Sequence, residues 1–174
     1  MSNKYYAGIG SRKTPQNILS FMGEIALYLK EENYILRSGG ADGADSAFEK
    51  GSGDLKEIFL PWKNFNNSPN KFIPLPQKAF TIAEKFHPYW YNLSKGVKQL
   101  HARNSCQVLG KDLKTPVKFV ICWTPNGEMI GGTSQALKIA KFYDVDVYNL
   151  ANKKDLKYWE NKIFTRETDN EKEM

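Results

Sequence analysis

The sequence predicts an α/β protein: a Rossmann-like three-layer domain with a mainly parallel sheet and a helical insertion. Three observations carry that expectation. Short apolar runs alternate with segments of 3.6-residue periodicity, the rhythm of a parallel sheet covered on both faces. Glycine-rich turns follow three of those runs, at 8–12, 38–45 and 131–134. The chain has 174 residues, 41% hydrophobic and 25% charged, which suits one domain with a two-sided core.

Residues 4–9 read as a short buried strand that ends in the turn Gly10, Ser11, Arg12, Lys13. Thr14 is a good N-cap and Pro15 fits the first helical position, so a helix is expected over 15–32. Its apolar stripe is Ile18, Phe21, Met22, Ile25, Ala26 and Leu29. A second strand over 34–37 leads into a short helix that runs through Lys50 and stops at Gly51. A third strand is expected over 56–60, a fourth over 117–123 and a fifth over 145–150, with a helix over 133–143 between the last two. Right-handed crossovers would bring every strand-to-helix turn to one sheet edge. The stretch 61–112 breaks the rhythm. It is loop-like over 62–76, helical over 77–86, broken at His87-Pro88, and helical again over 93–109. We take it as an insertion that supplies pocket wall or oligomer contact. The domain is expected to span 1–163, with 164–174 as a polar, frayed tail.

Composition narrows the function classes. No run approaches the ~18 apolar residues of a membrane helix, and the N-terminus carries no secretory pattern. Cys106 and Cys122 lie inside regular elements and suggest buried apolar filler rather than a disulfide framework, so a cytoplasmic setting is expected. The net charge of +6 is compatible with nucleic acid or with a small anionic ligand. Lysine is the default cation at 21 residues, against only four arginines: Arg12, Arg37, Arg103 and Arg166. A scarce arginine hints at a geometric need, such as a planar fork for phosphate or carboxylate.

The three turns are the candidate site. Gly8 and Gly10 permit close backbone approach, and Ser11 and Arg12 add a hydroxyl and a charged fork. Ser38, Gly39, Gly40, Asp42 and Asp45 form the second turn; Gly131, Gly132, Thr133 and Ser134 form the third. Unpaired amides at a following helix N-terminus favour an anion. One glycine turn is more often a tight connection than a phosphate site. Three on the carboxyl edge of one parallel sheet are more specific, because ligands bind there in open α/β folds. The dinucleotide fingerprint is not met: Lys13 stands where a third glycine is needed, and Arg37 where an acidic residue belongs. There is no Walker A sequence either, since Gly110-Lys111 is followed by Asp112.

These motifs, with Arg103-Asn104 between the second and third, resemble those of DNA-processing protein A and the SLOG superfamily, which also holds the phosphoribohydrolases called LOG proteins. The resemblance spans about residues 5–151 and is strongest to stand-alone, phage-type domains. It implies three function classes: binding of a nucleotide-derived ligand, hydrolysis of the N-glycosidic bond of a nucleoside monophosphate, or binding of single-stranded DNA. It also implies a homo-oligomer. LOG enzymes place a catalytic glutamate three residues after the threonine of their phosphate loop, and Ala136 stands at that position here. Arg103 matches their catalytic arginine, and Asp42, Asp45 or Glu128 would have to replace the missing carboxylate. The candidate catalytic set is therefore Arg103, Asp42 and Glu128. The leading expectation is a phosphate-bearing nucleotide held by the first and third turns and Arg103, with Asp42 and Asp45 toward the sugar.

Each residue also has a plainer role. Arg103 could form a surface ion pair and Asn104 could cap a helix break; Asp42, Asp45, Thr133 and Ser134 could serve as helix caps. Trp62 and Trp90 could stack a base, though such rings more often close a core. His87 and His101 lack partners at metal spacing, so no metal is expected, and no cofactor is implied.

Overall fold

The computed structural model describes residues 4–174. Five strands form one sheet in the order β3-β2-β1-β4-β5, every adjacent pair parallel. They are β1 (Tyr5–Gly8), β2 (Ile35–Ser38), β3 (Lys56–Ile58), β4 (Phe119–Cys122) and β5 (Asp146–Asn149). The helices are α1 (Gln16–Glu31), α2 (Ala44–Ser52), α3 (Gln77–Lys85), α4 (Lys95–Leu109), α5 (Gly131–Phe142) and α6 (Lys153–Glu173). The expected Rossmann-like three-layer class is the observed one.

Alternation along the strands builds the layers. Ala7, Val120 and Cys122 face one core, packed with Ala79 and Ile82 of α3, Ala102 and Cys106 of α4, and Ile139 and Ala140 of α5. Tyr6, Leu36 and Ile121 face the other, packed with Met22, Ile25 and Leu29 of α1, Phe48 of α2 and Trp159 of α6. A sheet buried on both faces needs near-continuous apolar strands, and β4 is one (Phe119–Cys122), while the edge strands β3 and β5 carry polar residues and are less buried. Cys106 and Cys122 are both fully buried free thiols, and burial pushes each up to about 12.

Several local expectations are corrected. Thr14 does not cap α1; its hydroxyl donates to the Ser11 carbonyl at 2.6 Å and closes the turn, while Pro15 holds the cap position in extended conformation. The stretch 61–112 does more than insert: its second helix, α4, packs on the sheet and is the crossover that parallel strands β3 and β4 require. The polar segment 164–174 continues α6 as helix through Glu173. Trp159 anchors that helix against Phe119 and Tyr148, and Arg166 pairs with Glu31 of α1 while lying 5.5 Å from the Tyr28 ring. Among the described residues, no helix is long and apolar enough to cross a membrane.

Candidate functional site

Because all strands are parallel, the segments after β1, β2 and β4 leave from one edge. The chain turns to opposite sides of the sheet after β1 and after β4, so these neighbours form the switch point where open α/β sheets leave a crevice. A cleft of about 660 Å³ opens there, within the range of small-ligand sites. Gly10, Ser11, Arg12 and Lys13 line it from the first turn, Asp45 from α2, Arg103 and Asn104 from α4, and Gly131, Gly132 and Thr133 from α5. The three turns and the Arg103-Asn104 pair therefore meet.

The turns are not equivalent. In the first, the main chain is largely engaged with itself: the Ser11 amide donates to Trp123 O at 3.1 Å, Lys13 N to Ser11 Oγ at 3.1 Å, and Thr14 N to Ser11 O at 3.1 Å. What it offers the cleft is cationic side chain, with Arg12 and Lys13 both exposed. In the second, the N-terminus of α2 already holds an anion of its own. Asp45 is 4% exposed, and its Oδ2 accepts the Ala41 amide at 3.2 Å. Burial raises its carboxyl above the ordinary value, opposed by the Arg103 charge and the amides of Ala41 and Gly39. The Ala41 amide is thus already engaged, and this turn has less to offer a phosphate than the third. The third turn is open. No side chain caps α5, so its first amides lack intrahelical partners. A side chain built on Gly131 or Gly132 would meet nothing within 4 Å. Its amides and helix dipole make this the strongest anion position of the three.

Arg103 is half-buried over the second turn. Its Nη1 donates to Gly39 O at 2.9 Å, and its guanidinium lies 5.6 Å from the Phe65 ring. Its Nε is buried with no hydrogen-bond partner among the described residues. Burial lowers its pKa, Asp45 raises it, and the Arg12 charge lowers it again. Gly39 is required by this approach, because a Cβ there would overlap Gln107 and press on the Arg103 guanidinium. Gly8 answers a packing need instead, since a Cβ would overlap the Phe48 ring.

Other candidates stand outside the cleft. The Ser38 hydroxyl is buried and donates to Gly8 O at 2.6 Å. The Gly40 carbonyl accepts Asn66 Nδ2 at 3.1 Å, and the same nitrogen donates to Asp42 Oδ1 at 2.9 Å. Asp42 and the exposed Glu128 do not line the cleft. Ser134 Oγ donates to Gly131 O at 2.7 Å within its own turn. Asn104, by contrast, does line the cleft, but its Nδ2 is spent on Gly132 O at 3.2 Å and Gln135 Oε1 at 3.0 Å, which ties α4 to the α5 turn. Arg37 is structural: its Nη1 donates to Thr115 O at 2.6 Å and its guanidinium stacks 3.9 Å from the Tyr5 ring. Trp62 packs edge-on to Phe65 and Trp90 is buried beneath Lys98; neither lines the cleft.

Sequence reasoning missed Lys13, His87, His101 and Gln107 as wall residues. Val97, Leu100, His101, Asn104 and Gln107 recur at helical spacing along α4, a signal in the sequence that could have named the wall residues of the helix expected over 93–109. Among the described residues, no group of three or more His, Cys, Asp or Glu side chains gathers at metal-binding spacing.

No family model matches the chain, and no curated protein does. A solved structure of DNA processing protein A from Helicobacter pylori superimposes over 96% of this chain and 81% of that one. The TM-score is 0.60, at 16% sequence identity. The two chains share a fold. That neighbour was studied for a single-stranded DNA binding mode.

Proposed function

We propose that the cleft binds a phosphate-bearing nucleotide, with the phosphate on the open amides at Gly131, Gly132 and Thr133 and the charges of Arg12, Lys13 and Arg103 around it. One observation carries this reading: an uncapped helix N-terminus and three cations from two other segments share one cleft at the sheet's switch point. Asp45, buried under Arg103, keeps the anion off the second turn and offers a carboxylate toward a sugar hydroxyl. The reading agrees with the resemblance to nucleotide-binding SLOG domains. It does not require hydrolysis, since Ala136 lines the cleft where LOG enzymes carry their glutamate.

The test is a thermal-shift and calorimetric screen with nucleoside mono-, di- and triphosphates on the wild type and Arg103→Ala. Stoichiometric binding that weakens at least about tenfold in the variant, the loss of one charge-assisted contact, supports the reading. Release of free base from a nucleoside monophosphate would replace it with the N-glycosidase reading. The fold shared with DNA processing protein A favours a second reading, in which the same cleft takes one phosphate unit of single-stranded DNA. Oligothymidylate binding in the absence of mononucleotide binding would select it.

A further inference from the structure

His101 is 9% exposed, lines the cleft two residues before Arg103 on α4, and leaves its buried Nδ1 without a hydrogen-bond partner among the described residues. The His87 ring, from the loop after α3, lies against it with centroids 4.7 Å apart and also lines the cleft. A buried imidazole nitrogen without a partner is a costly arrangement unless a ligand or water completes it. Two imidazoles at this distance resist double protonation, whereas an anion beside them would favour it.

We propose that His87 and His101 form a proton-gated anion ligand of the cleft, uncharged when it is empty and protonated when a phosphate group occupies it. This rests on the cleft being an anion site, as argued above. The surroundings favour neutral His101 in the empty protein. Burial lowers His101 from its ordinary value, His87 and Arg103 lower it further, and hydrogen bonding to Gln135 partly offsets them. Arg103 on α4, Arg12 and Lys13 after β1, and Asp45 on α2 line the cleft with both histidines, while Glu84 and Lys85 on α3 and Lys138 and Lys141 on α5 border separate hollows that contain His87 alone. His87 and Arg103 are the neighbours that oppose a charge on His101, and an anion in the cleft would offset them.

The sign follows from linkage. A bound anion raises the imidazole pKa, so binding takes up a proton between the free and bound values, and affinity rises as pH falls through that window. Phosphate monoesters titrate in the same range, so the probes must not. Thymidine 5′-(methyl phosphate) and sulfate both keep their charge from pH 8 to pH 5.5. A bound-state rise of about one pKa unit tightens binding by up to about tenfold over that range. The chain has only two histidines, so the imidazole proton resonances report this pair alone and yield both pKa values with and without probe.

The expected results are tighter binding at pH 5.5 than at pH 8, an upfield-to-downfield imidazole titration displaced to higher pH by the probe, and a flat profile in His87→Gln and His101→Gln. The nuclear magnetic resonance titration uses wild-type protein and stands even if His101→Gln fails to fold. Binding that is equal at both pH values with unmoved imidazole titrations overturns this proposal and leaves the anion site intact. A pH dependence that persists when His87→Gln and His101→Gln are combined in one chain assigns it to another group and also overturns the proposal. Absence of binding by either probe at any pH overturns the anion site and the proposal together.

Discussion

Gly39, behind the cleft wall, and Asp45, which lines it, act on Arg103 by opposite means. Gly39 matters through what it lacks: the Arg103 guanidinium and Gln107 occupy the space of its missing side chain. In Gly39→Ala the flexible ends of both residues must shift, and the 2.9 Å bond from Arg103 to the Gly39 carbonyl is strained. The expected result is nucleotide affinity down about tenfold, read by calorimetry, with little change in melting temperature because arginine and glutamine tips move cheaply. Asp45 matters through its charge. Its raised carboxyl means that ionisation opposes folding, so the stability linked to this group is greatest at acid pH and declines as pH rises through its folded-state value. Asp45→Asn removes that titration. The melting temperature of the variant relative to wild type should therefore climb from pH 3.5 to pH 7; a constant difference across that range would sink the assignment.

At the scale of elements, α5 and α4 divide the work. The α5 N-terminus supplies unpaired amides and a dipole, and α4 supplies Arg103 and the tie through Asn104 that holds the α5 turn in place. Gly132→Asp separates stability from binding. The site is open, so the new carboxylate fits, and at a helix N-terminus it stabilises by about 0.3–1 kcal/mol. The same carboxylate repels a phosphate. A melting temperature that holds or rises while nucleotide affinity falls is the expected pair of results; unchanged affinity would remove α5 from the site. How much of this was legible is uneven. The periodicity at 15–32 and the glycines at 131 and 132 marked α1 and the α5 turn correctly, because both signals depend on neighbours in sequence. Thr14 was misjudged because Ser11 offered its hydroxyl a nearer acceptor, and the tail helix was missed because its anchor, Trp159, meets partners on β4 and β5.

For the whole molecule, the net charge of +6 and the cleft cations make binding salt-dependent in a way that reports the ligand. A mononucleotide carries no condensed counterions to release, so its affinity should fall only shallowly with salt, by screening. A single strand instead contributes a slope of about −0.7 in log affinity against log salt for each phosphate neutralised. A clearly steeper slope with oligothymidylate would favour the single-strand reading. The chain by itself determined the α/β class, the strand-to-helix turns and the residues Arg12, Arg103, Gly131 and Gly132, because apolar periodicity and glycine turns are local properties. Only the tertiary structure decided that Asp45 is buried beneath Arg103, that Arg37 is occupied by Thr115 and Tyr5, and that His87 and His101 touch in the cleft wall. Those facts join residues from separate elements, and burial and pairing across elements arise when packed helices and strands bring distant side chains together, not from the order in which they are joined.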